Sequence, residues 1–400
     1  MRITVSTIAR FHSFDLAAQL QARGHLAAVF TGYPRGKLRE TGVDPALIRS
    51  FPWVQTPYMA LLRYGLLPSP AEREMALLAH RTLDGHVART LPDCDLVSVL
   101  SGSGVATGKA ARRRGIAYVC DRGSTHIRFQ DRLLAEEFER VGLPWHGIDR
   151  RVIERELEEY ELADRITVPS GVVRDSFVTE GVAPGKLAVV PYGVDLGVFR
   201  RVAPRAPEFR ILFVGGLSVR KGLHDLFAAV RLAGIPGARL VLVGGKTPET
   251  DHLLARAGVP FDWRGALSWS DLVHEFSAAG AFVLPSIEDG FGLVVSQAMA
   301  CGCPVIVSRN VGGADLVQEG VNGFVVPARS PETIADRLLR LYRDSELWHG
   351  LSAAAVDRVR HIGGWRDYGD RSCAVFRETI ETPCRRFPGP AGGAERCEAE

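Results

Sequence analysis

Residues 285–307 read PSIEDGFGLVVSQAMACGCPVIV and carry the strongest indication of the fold. The apolar run 281–284 precedes them, a Gly-Phe-Gly turn lies at 290–292, and an apolar segment of helical period leads to a second strand-like run at 305–307. A strand, a glycine-bearing turn and a helix N-terminus form an anion site, because the free N–H groups and the positive end of the helix dipole point at the ligand. The stretch therefore predicts an anion-binding strand–turn–helix unit.

Four polar side chains flank this turn. Glu288 and Asp289 lie on the loop, and Ser296 and Gln297 lie on the first helical turns. Asp289 and Gln297 are eight positions apart, one before the helix and one on it. We therefore expect a single polyol ligand to be held between them.

Apolar β-branched runs alternate with segments of helical period along most of the chain. The runs lie at residues 3–8, 26–30, 96–100, 116–120, 165–168 and 187–190 in the first half, and at 210–214, 239–243, 259–263, 281–284, 305–307 and 324–326 in the second. Strands that are apolar throughout and alternate with helices are typical of parallel sheets covered on both faces. The sequence therefore predicts an α/β protein.

The length of 400 residues suits two domains rather than one core. Residues 191–207 are rich in Pro and Arg with little periodicity, as in an interdomain linker. We place the first domain at 1–191 and the second at 192–364, with the carboxyl ends of both sheets facing one cleft. The tail 383–400, rich in Pro, Gly, Ala and Glu, is expected to be disordered.

The composition argues against several classes of protein. A formal net charge of +3 is small for a dedicated nucleic-acid binder, so no nucleic-acid partner is expected. The sequence has no signal-peptide pattern at its start and no apolar run long enough to cross a bilayer. Seven scattered cysteines fit a reducing compartment, and we expect a cytoplasmic protein. Cys301 and Cys303 have poor spacing for zinc and are interpreted as buried small residues.

The stretch 285–307 resembles the donor-binding region of the GT-B retaining glycosyltransferases of family 4, the glycosyl transferases group 1. The family signature is an acidic residue, Gly-Phe-Gly-Leu, and a second acidic residue after seven intervening positions. Here these positions are Asp289 and Gln297, and Glu288 could replace the first in a shifted register. The resemblance implies a GT-B fold of two Rossmann-like, doubly wound domains facing each other across a cleft. It also implies that a final helix, residues 365–382, packs back on the first domain.

A second motif, residues 214–222, reads VGGLSVRKG between a predicted strand and a predicted helix. Gly215 and Gly216 let the backbone approach a ligand, and Lys221 brings a mobile charge suited to a diphosphate. The motif is similar to the family's Gly-Arg-Leu…Lys-Gly element, in which Arg and Lys neutralise the pyrophosphate of the donor. Gly216 stands where that Arg usually stands, and we expect Arg220 to supply the charge.

The resemblance assigns further donor contacts in the second domain. Arg264 and Leu267 follow another predicted strand and would face the nucleotide base, although an ordinary strand-to-helix loop fits them nearly as well. Phe291, Gly292 and Leu293 would form the turn and the helix N-terminus at the diphosphate.

In the first domain, residues 121–126 read DRGSTH after a predicted strand. The segment resembles the one that carries a His facing the donor sugar in the family. A His there can hydrogen-bond a sugar hydroxyl or carry a proton, so His126 is a candidate catalytic residue, although a lone His is more often structural. Arg122 and Ser124 are candidate acceptor contacts, as is His12 in the first strand-to-helix loop.

Two acidic patterns are interpreted as structural. Asp93 and Asp95 match an Asp-x-Asp metal motif but precede the strand 96–100 instead of following it, so a solvated turn is expected. Residues 154–161 read ERELEEYE, and their five glutamates and one arginine have the spacing of an exposed helix face. No metal ion and no cofactor are expected.

These features predict the transfer of a sugar from a nucleotide diphosphate sugar to an acceptor hydroxyl, with retention of the anomeric configuration. Lys221, Asp289 and His126 are the predicted catalytic residues, and Gln297 would hydrogen-bond the ribose. The expected donor is a UDP- or GDP-sugar, and the expected acceptor is a sugar or a lipid-linked molecule in glycan, glycolipid or polysaccharide synthesis. Two alternatives stay open: a nucleotide-sugar epimerase or hydrolase, and a catalytically silent nucleotide-sugar-binding subunit.

Residues 51–67 are aromatic and apolar, with Arg49 and Arg63 beside them. Such a segment can lie in a lipid headgroup layer, where basic residues meet anionic lipid. Alternatively it packs in the core of the first domain or lines the acceptor site, because its prolines interrupt any long amphipathic helix. The segment therefore predicts either a peripheral membrane contact or an aromatic acceptor site.

Overall fold

Two parallel sheets organise the chain in the computed structural model, which describes residues 1–64 and 66–382. The first sheet has seven strands in the order β3-β2-β1-β4-β5-β6-β7, and the second has six in the order β10-β9-β8-β11-β12-β13. The strands are β1 Ile3–Thr7, β2 Leu26–Thr31, β3 Ile48–Ser50, β4 Leu96–Leu100, β5 Ala117–Asp121, β6 Arg165–Val168, β7 Leu187–Val189, β8 Arg210–Val214, β9 Arg239–Val243, β10 Phe261–Trp263, β11 Ala281–Leu284, β12 Val305–Ser308 and β13 Phe324–Val326.

Helices cover both sheets, as the uniformly apolar strands require. They are α1 His12–Ala22, α2 Gln55–Arg63, α3 Ser69–Thr90, α4 Val105–Arg113, α5 Ile127–Arg140, α6 Arg150–Leu162, α7 Gly171–Thr179, α8 Leu223–Ala233, α9 Thr250–Ala255, α10 Trp269–Ala278, α11 Leu293–Ala300, α12 Pro331–Arg343, α13 Ser345–Ile362 and α14 Trp365–Glu381. All four residues of β11 are fully buried, and its pairing with β8 and β12 is parallel. The predicted fold of two Rossmann-like α/β domains is confirmed.

In each sheet the order of the strands reverses direction at one place. In the first sheet β1 lies between β2 and β4, and in the second β8 lies between β9 and β11. Ligands of open α/β sheets bind outside the carboxyl ends of the strands at such a switch point. The loops after β8 and β11 are the two glycine-bearing motifs of the sequence, so both meet at the switch point of the second sheet.

The chain crosses twice between the two sheets. After β13 and two further helices it returns to the first sheet, where α14 packs against α1 and Asp370 lies 2.7 Å from Arg23. The outgoing and returning segments touch, because a Cβ on Gly193 would lie 2.5 Å from the carbonyl carbon of Gly364. The two connections between the domains therefore meet at one place.

The structure also bears on the sequence predictions for the Asp93–Asp95 turn, for two cysteines and for membrane-spanning helices. Asp93 and Asp95 lie at the amino end of β4, where Asp93 pairs with Arg114 at 2.8 Å, as expected for a solvated turn. Cys301 and Cys303 are buried free thiols. None of the described helices is long and apolar enough to span a membrane. The prediction of a disordered tail concerns residues 383–400, which lie outside the described part of the chain.

The acidic segment 154–161 lies in α6, but its interpretation as an exposed helix face was wrong. Glu159 is fully buried and accepts hydrogen bonds of 2.6 Å from the backbone N–H groups of Gly102 and Gly104. Burial raises the pKa of Glu159 to about 8. Glu156 is also buried and pairs with Arg122. Spacing along a helix does not show which face packs against the neighbouring strands.

Candidate functional site

Two consecutive ion pairs join the loops after β8 and β11. Arg220 Nη1 lies 3.1 Å from Glu288 Oε2 and also donates to the Glu288 carbonyl at 3.0 Å. Lys221 Nζ donates to Asp289 Oδ2. Because the two strands are neighbours in the sheet, residues adjacent in one loop pair with residues adjacent in the other. The structure thus brings together four residues that the sequence assigned to the donor.

The backbone of the two loops is packed too closely for side chains at one key position. Gly222 has φ 69° and caps the N-terminus of α8, and a Cβ there would lie 2.1 Å from the carbonyl oxygen of Pro285. Only glycine fits this left-handed conformation and this close approach without strain. Gly222 therefore holds Lys221 beside the loop that carries Asp289.

Lys221 and Asp289 form a largely buried pair. Burial lowers the pKa of Lys221 below its usual value, and the charge of Asp289 opposes that shift. Asp289 is 8% exposed, and its backbone carbonyl accepts a hydrogen bond of 2.9 Å from Gly312 N–H. The Lys221 ammonium is desolvated in this place, so its attraction for a further anion is stronger than at the surface, and the neighbouring Asp289 carboxylate offsets part of that attraction.

The N-terminus of α11 lies directly after Asp289. Its N-cap residue is Gly292, with φ 68° and no side-chain cap. The first N–H groups of a helix have no acceptor within the helix and carry its positive end, so Gly292 and Leu293 offer donors to an anion. Gln297 is half-buried one turn further on, and its side chain has no hydrogen-bond partner among the described residues. Ser296 bonds back to the carbonyl of Leu293 and is not free.

Glu288 lies in the contact between the two domains. It is fully buried, and its Oε1 accepts from Thr125 N–H at 3.0 Å and from Thr125 Oγ1 at 3.1 Å. Its Oε2 accepts from Gln130 Nε2 and Arg220 Nη1, each at 3.1 Å. Both carboxylate oxygens are therefore occupied by protein donors from the two domains.

Backbone contacts reinforce this junction. A Cβ on Gly290 would lie 1.8 Å from the carbonyl oxygen of Gly123 and 2.8 Å from Ser124 Cα. The Gly290 carbonyl also accepts from Ser170 Oγ at 2.7 Å, and Gly171 N–H donates to Asp315 at 2.7 Å. The two domains therefore touch along the loop that carries the donor motif, and Ser124 lies at this junction.

Arg122 is committed to partners within the first domain. Its guanidinium is buried 2.8 Å from Glu156 and also donates to the Thr125 carbonyl and to Gln130 Oε1 at 3.0 Å. Gln130 in turn donates to Glu288. Arg122 therefore supports the contact between the domains indirectly, through Thr125 and Gln130. Its guanidinium N–H groups bond to protein groups and are not directed at an acceptor substrate. Thr125 and Gln130 were not predicted, because only the docking of the domains reveals their role.

The His126 ring packs inside the first domain. It caps α5 by accepting from Arg128 N–H at 3.3 Å, and its centroid lies 5.1 Å from Tyr160 and 4.9 Å from Phe177. Burial lowers the pKa of His126 to about 4, so the imidazole is neutral at pH 7. Among the described residues, its hydrogen bonds and ring contacts are with its own domain, and the structure does not bring it to the Lys221–Asp289 pair.

The buried His126 predicts a pH dependence of stability. Between pH 6.5 and pH 4 the unfolded chain binds a proton at this residue and the folded chain does not, so the free energy of unfolding decreases as the pH falls. His126→Asn keeps a good helix cap and removes the titration. We expect the melting temperature of the wild type to fall more than that of His126→Asn between pH 7 and pH 5. Equal falls in both, with exposed His361→Asn as control, would contradict the assignment.

His12 forms a second polar centre with a residue that the sequence did not single out. Its Nε2 lies 2.6 Å from Asp121 Oδ2, and its ring stacks on Tyr192 with centroids 4.1 Å apart. Tyr192 in turn lies 5.1 Å from the ring of Phe291 in the Gly-Phe-Gly turn. Asp121 is the last residue of β5, and its position at a carboxyl strand end is the signal that could have identified it.

The remaining predicted donor contacts lie along the same edge of the second sheet. Gly215 and Gly216 follow β8, and Gly215 N–H bonds to the carbonyl of Val243. Arg264 is exposed after β10, 3.7 Å from Glu275, and Leu267 is half-buried against the core. The predicted donor residues therefore all follow β8, β10 or β11 at one edge of the second sheet.

One further cluster of ionisable groups is an ion-pair network. Glu137, His224 and Asp225 place possible metal-ligand atoms within 4.8 Å of one another. Arg140 and Arg329, however, both lie 2.6 Å from oxygens of Glu137. Burial opposes the ionisation of Glu137, but hydrogen bonds from His224 and Arg140 lower its pKa to about 2. Two guanidinium groups on one carboxylate leave no room for a cation there.

The sequence matches known families in both of its domains. Residues 9–198 match the family described as Glycosyltransferase Family 4, and residues 208–344 match the one described as Glycosyl transferases group 1. A D-inositol 3-phosphate glycosyltransferase from Kribbella flavida is 30% identical over 253 residues, which are 56% of this chain and 58% of that protein. One from Streptomyces bingchenggensis is 33% identical over 54% of this chain and 53% of that protein. The chain thus spans just over half the length of these curated relatives.

Solved structures share the fold over nearly the whole chain. Anabaena Alr3699/HepE, solved with UDP and glucose, superposes with a TM-score of 0.69 at 17% identity and covers 94% of this chain and 100% of that one. Sucrose-phosphate synthase from Thermosynechococcus elongatus gives 0.69 at 21% identity, with coverage of 95% and 99%. Together, the two matched domains and this fold establish that the chain belongs to the group 1 glycosyltransferases of family 4 with a GT-B fold.

Proposed function

We propose that the protein transfers a sugar from a nucleotide diphosphate sugar to an acceptor hydroxyl with retention of the anomeric configuration. The observation that carries this proposal is the placement of Lys221 and the uncapped N-terminus of α11 at the same edge of the second sheet. Expulsion of a nucleoside diphosphate builds negative charge on the leaving oxygens, and fixed donors in a desolvated site stabilise that charge. No metal ion is part of the proposal.

The donor is proposed to be a UDP-sugar, with a GDP-sugar as the alternative. Support comes from the HepE structures, which were solved with UDP and glucose, with UDP, and with UDP-glucose. In this arrangement Arg264 and Leu267 border the base and Gln297 hydrogen-bonds the ribose. An amide can both donate and accept, so Gln297 can bind a ribose hydroxyl without a negative charge. Asp289 holds sugar hydroxyls next to the diphosphate.

Neither carboxylate of the donor loop is free to act as a nucleophile. Glu288 is occupied by both domains, and Asp289 is paired with Lys221. We propose that the acceptor oxygen attacks on the face from which the diphosphate leaves. The bond from the anomeric carbon to the phosphate oxygen breaks as the new glycosidic bond forms, and the proton of the acceptor hydroxyl passes to the departing phosphate oxygen.

The acceptor side of the cleft is assigned to the His12–Asp121 pair. Asp121 fixes the His12 ring, which stacks on Tyr192 next to Phe291 of the donor turn. A positioned imidazole can hydrogen-bond an acceptor hydroxyl near the reacting carbon. We assign His126 a positioning role, because it caps α5 directly after Thr125, which binds Glu288.

The proposal predicts selective stabilisation by one nucleotide. UDP at one hundred times its Kd should add about 2.7 kcal/mol to the free energy of unfolding, and ADP should add little. Melting temperatures with UDP, GDP and ADP measure this, and anomeric coupling constants of the product measure retention. Turnover of donor that is independent of acceptor would support the hydrolase or epimerase alternative. Nucleotide binding without any turnover would support a silent subunit.

Several large side chains of the segment 51–67 are exposed, whereas Phe51 and Val54 pack against the core of the first domain. Trp53 is 76% exposed, Tyr64 72% and Leu66 65%, and Met59 and Leu62 on α2 are also exposed. Exposed aromatic and apolar side chains in one segment suit a lipid headgroup layer. We therefore propose a peripheral contact of the first domain with an anionic membrane surface, as expected of a cytoplasmic enzyme with a lipid-linked acceptor.

Sedimentation with anionic vesicles at low salt tests this contact. We expect the wild type to sediment with the vesicles. The triple variant Trp53→Ser/Tyr64→Ser/Leu66→Ser should bind at least about tenfold more weakly, because each large apolar side chain gains about 1.5 kcal/mol or more on burial. Trp269→Ser removes a comparably exposed tryptophan from the second domain and should bind like the wild type. A wild type that stays in the supernatant would leave the segment as an acceptor surface.

A further inference from the structure

A cavity of about 220 Å³ lies between α8, α9 and the end of α5. It is lined by Val141, His224, Phe227, Arg231, His252, Leu253 and Arg256. None of these residues belongs to the donor or acceptor groups described above. Val141 follows the last helical residue of α5 in the first domain, whereas the other six belong to the second, so the cavity lies where the domains meet.

The charges that border this cavity are not neutralised. Arg231 donates to the carbonyl of Ala257 at 2.5 Å, and Arg256 donates to the carbonyl of Val141 at 3.4 Å. Among the described residues, neither guanidinium has a carboxylate within ion-pair distance, and no acidic residue lines the cavity. Arg140 and Arg329 nearby are, by contrast, paired with Glu137. The cavity therefore has an unbalanced positive wall.

Two buried ring nitrogens in the same lining have no hydrogen-bond partner. They are Nδ1 of His224 and Nε2 of His252. The other nitrogen of His224, Nε2, lies 2.7 Å from Glu137 Oε1. Buried polar atoms are almost always paired in native proteins, and an unpaired one is a sign of a water or an ion that completes the site. The two nitrogens independently indicate a polar ligand in the cavity that carries the unpaired arginines.

The size of the cavity and the donors around it limit the kinds of ligand that it can bind. A volume of about 220 Å³ exceeds the roughly 10–15 Å³ that one water needs and lies below the roughly 300–1,000 Å³ typical of larger ligand pockets. Donors that converge from two helices suit a tetrahedral oxyanion with several acceptor oxygens, and arginine binds phosphate oxygens with its planar fork. Phe227 and Leu253 add an apolar wall.

We propose that this cavity binds a phosphate group, either inorganic phosphate or the phosphate of a small molecule. Arg231 and Arg256 supply the positive charge, and His224 Nδ1 and His252 Nε2, each in its protonated N–H form, donate the remaining hydrogen bonds. The site is separate from the donor diphosphate site, whose charges are Arg220 and Lys221. Because Arg256 also bonds the backbone at Val141, an anion here binds where the second domain touches the first.

Calorimetric titration of the full chain with inorganic phosphate at constant ionic strength tests the proposal. The wild type is expected to bind saturably, and Arg256→Gln and His252→Gln are each expected to weaken binding about tenfold or more, since charge-assisted hydrogen bonds are strong. Arg256 is exposed, so its variant is expected to fold. Arg343→Gln removes an exposed arginine that has no ion-pair partner among the described residues and does not line the cavity, and it should bind like the wild type.

Lys221→Ala separates this cavity from the donor site and should retain phosphate binding. The proposal is overturned if the wild type shows no saturable binding, or if binding survives Arg256→Gln and His252→Gln but is lost in Lys221→Ala. A parallel titration with a small sugar phosphate identifies the source of the phosphate group. Tighter binding than that of inorganic phosphate indicates a phosphorylated molecule, and equal or weaker binding indicates phosphate itself.

Discussion

Lys221→Ala is expected to lower kcat/KM for the donor about ten- to hundredfold. In the proposed function Lys221 contacts the leaving diphosphate in both the ground state and the transition state, and one charge-assisted contact contributes about 1.5–3 kcal/mol. The loss also leaves Asp289 without its partner in a largely buried position, which adds to the effect. Donor affinity and turnover should therefore decrease together in steady-state kinetics.

A matched lysine shows whether the effect is specific. Lys246 follows β9 at the same edge of the sheet, but it pairs with Asp251 at 2.6 Å and lies 5.2 Å from the centre of the Trp263 ring. Lys246→Ala should change kcat/KM little. Unchanged kinetics in Lys221→Ala would refute the diphosphate assignment. Asp289→Asn, alone and combined with Lys221→Ala, completes a double-mutant cycle that measures the coupling between the two groups.

Glu288→Ala is expected to separate the domains and thereby abolish most transfer. Removal of one partner from a buried charged network destabilises it by about 3–5 kcal/mol, which is a factor of at least one hundred in the equilibrium between contacting and separated domains. Thr125, Gln130 and Arg220 would all lose an acceptor. Small-angle scattering should show a larger radius of gyration, with the melting of each domain little changed.

The control for this variant is Glu275→Ala, which removes a partly buried glutamate that pairs with Arg264 inside the second domain. It should leave both the radius of gyration and turnover near those of the wild type. Asp289→Ala, by comparison, should impair donor binding without separating the domains. Wild-type scattering and wild-type kcat in Glu288→Ala would show that the contact is incidental.

The fold could be predicted because every strand except β3 leaves a local pattern in the sequence. Apolar β-branched runs between helices identify parallel strands buried on both faces, and the predicted runs correspond to β1, β2 and β4 through β13. The exception is β3, which has three residues at the edge of the first sheet, with Arg49 exposed between Ile48 and Ser50. So short a strand has no apolar run to reveal it.

The site could be predicted only in part, for a physical reason. The pairing of Lys221 with Asp289 follows from two neighbouring strands of one sheet, and the spacing of each motif from its strand is visible in the sequence. The partners of Glu288 come from another domain, so they depend on how two surfaces dock. The orientation of the His126 ring depends in the same way on Tyr160 and Phe177, which are far from it in sequence.

The contact between Gly193 and Gly364 constrains how the two halves of the molecule can move. Two covalent tethers that touch at one point prevent one body from sliding along the other and leave mainly rotation about that point. The motion then has close to a single degree of freedom, the rotation of one domain relative to the other about this contact. A single distance between two labels, one on each domain on opposite sides of the cleft, would consequently report the entire movement.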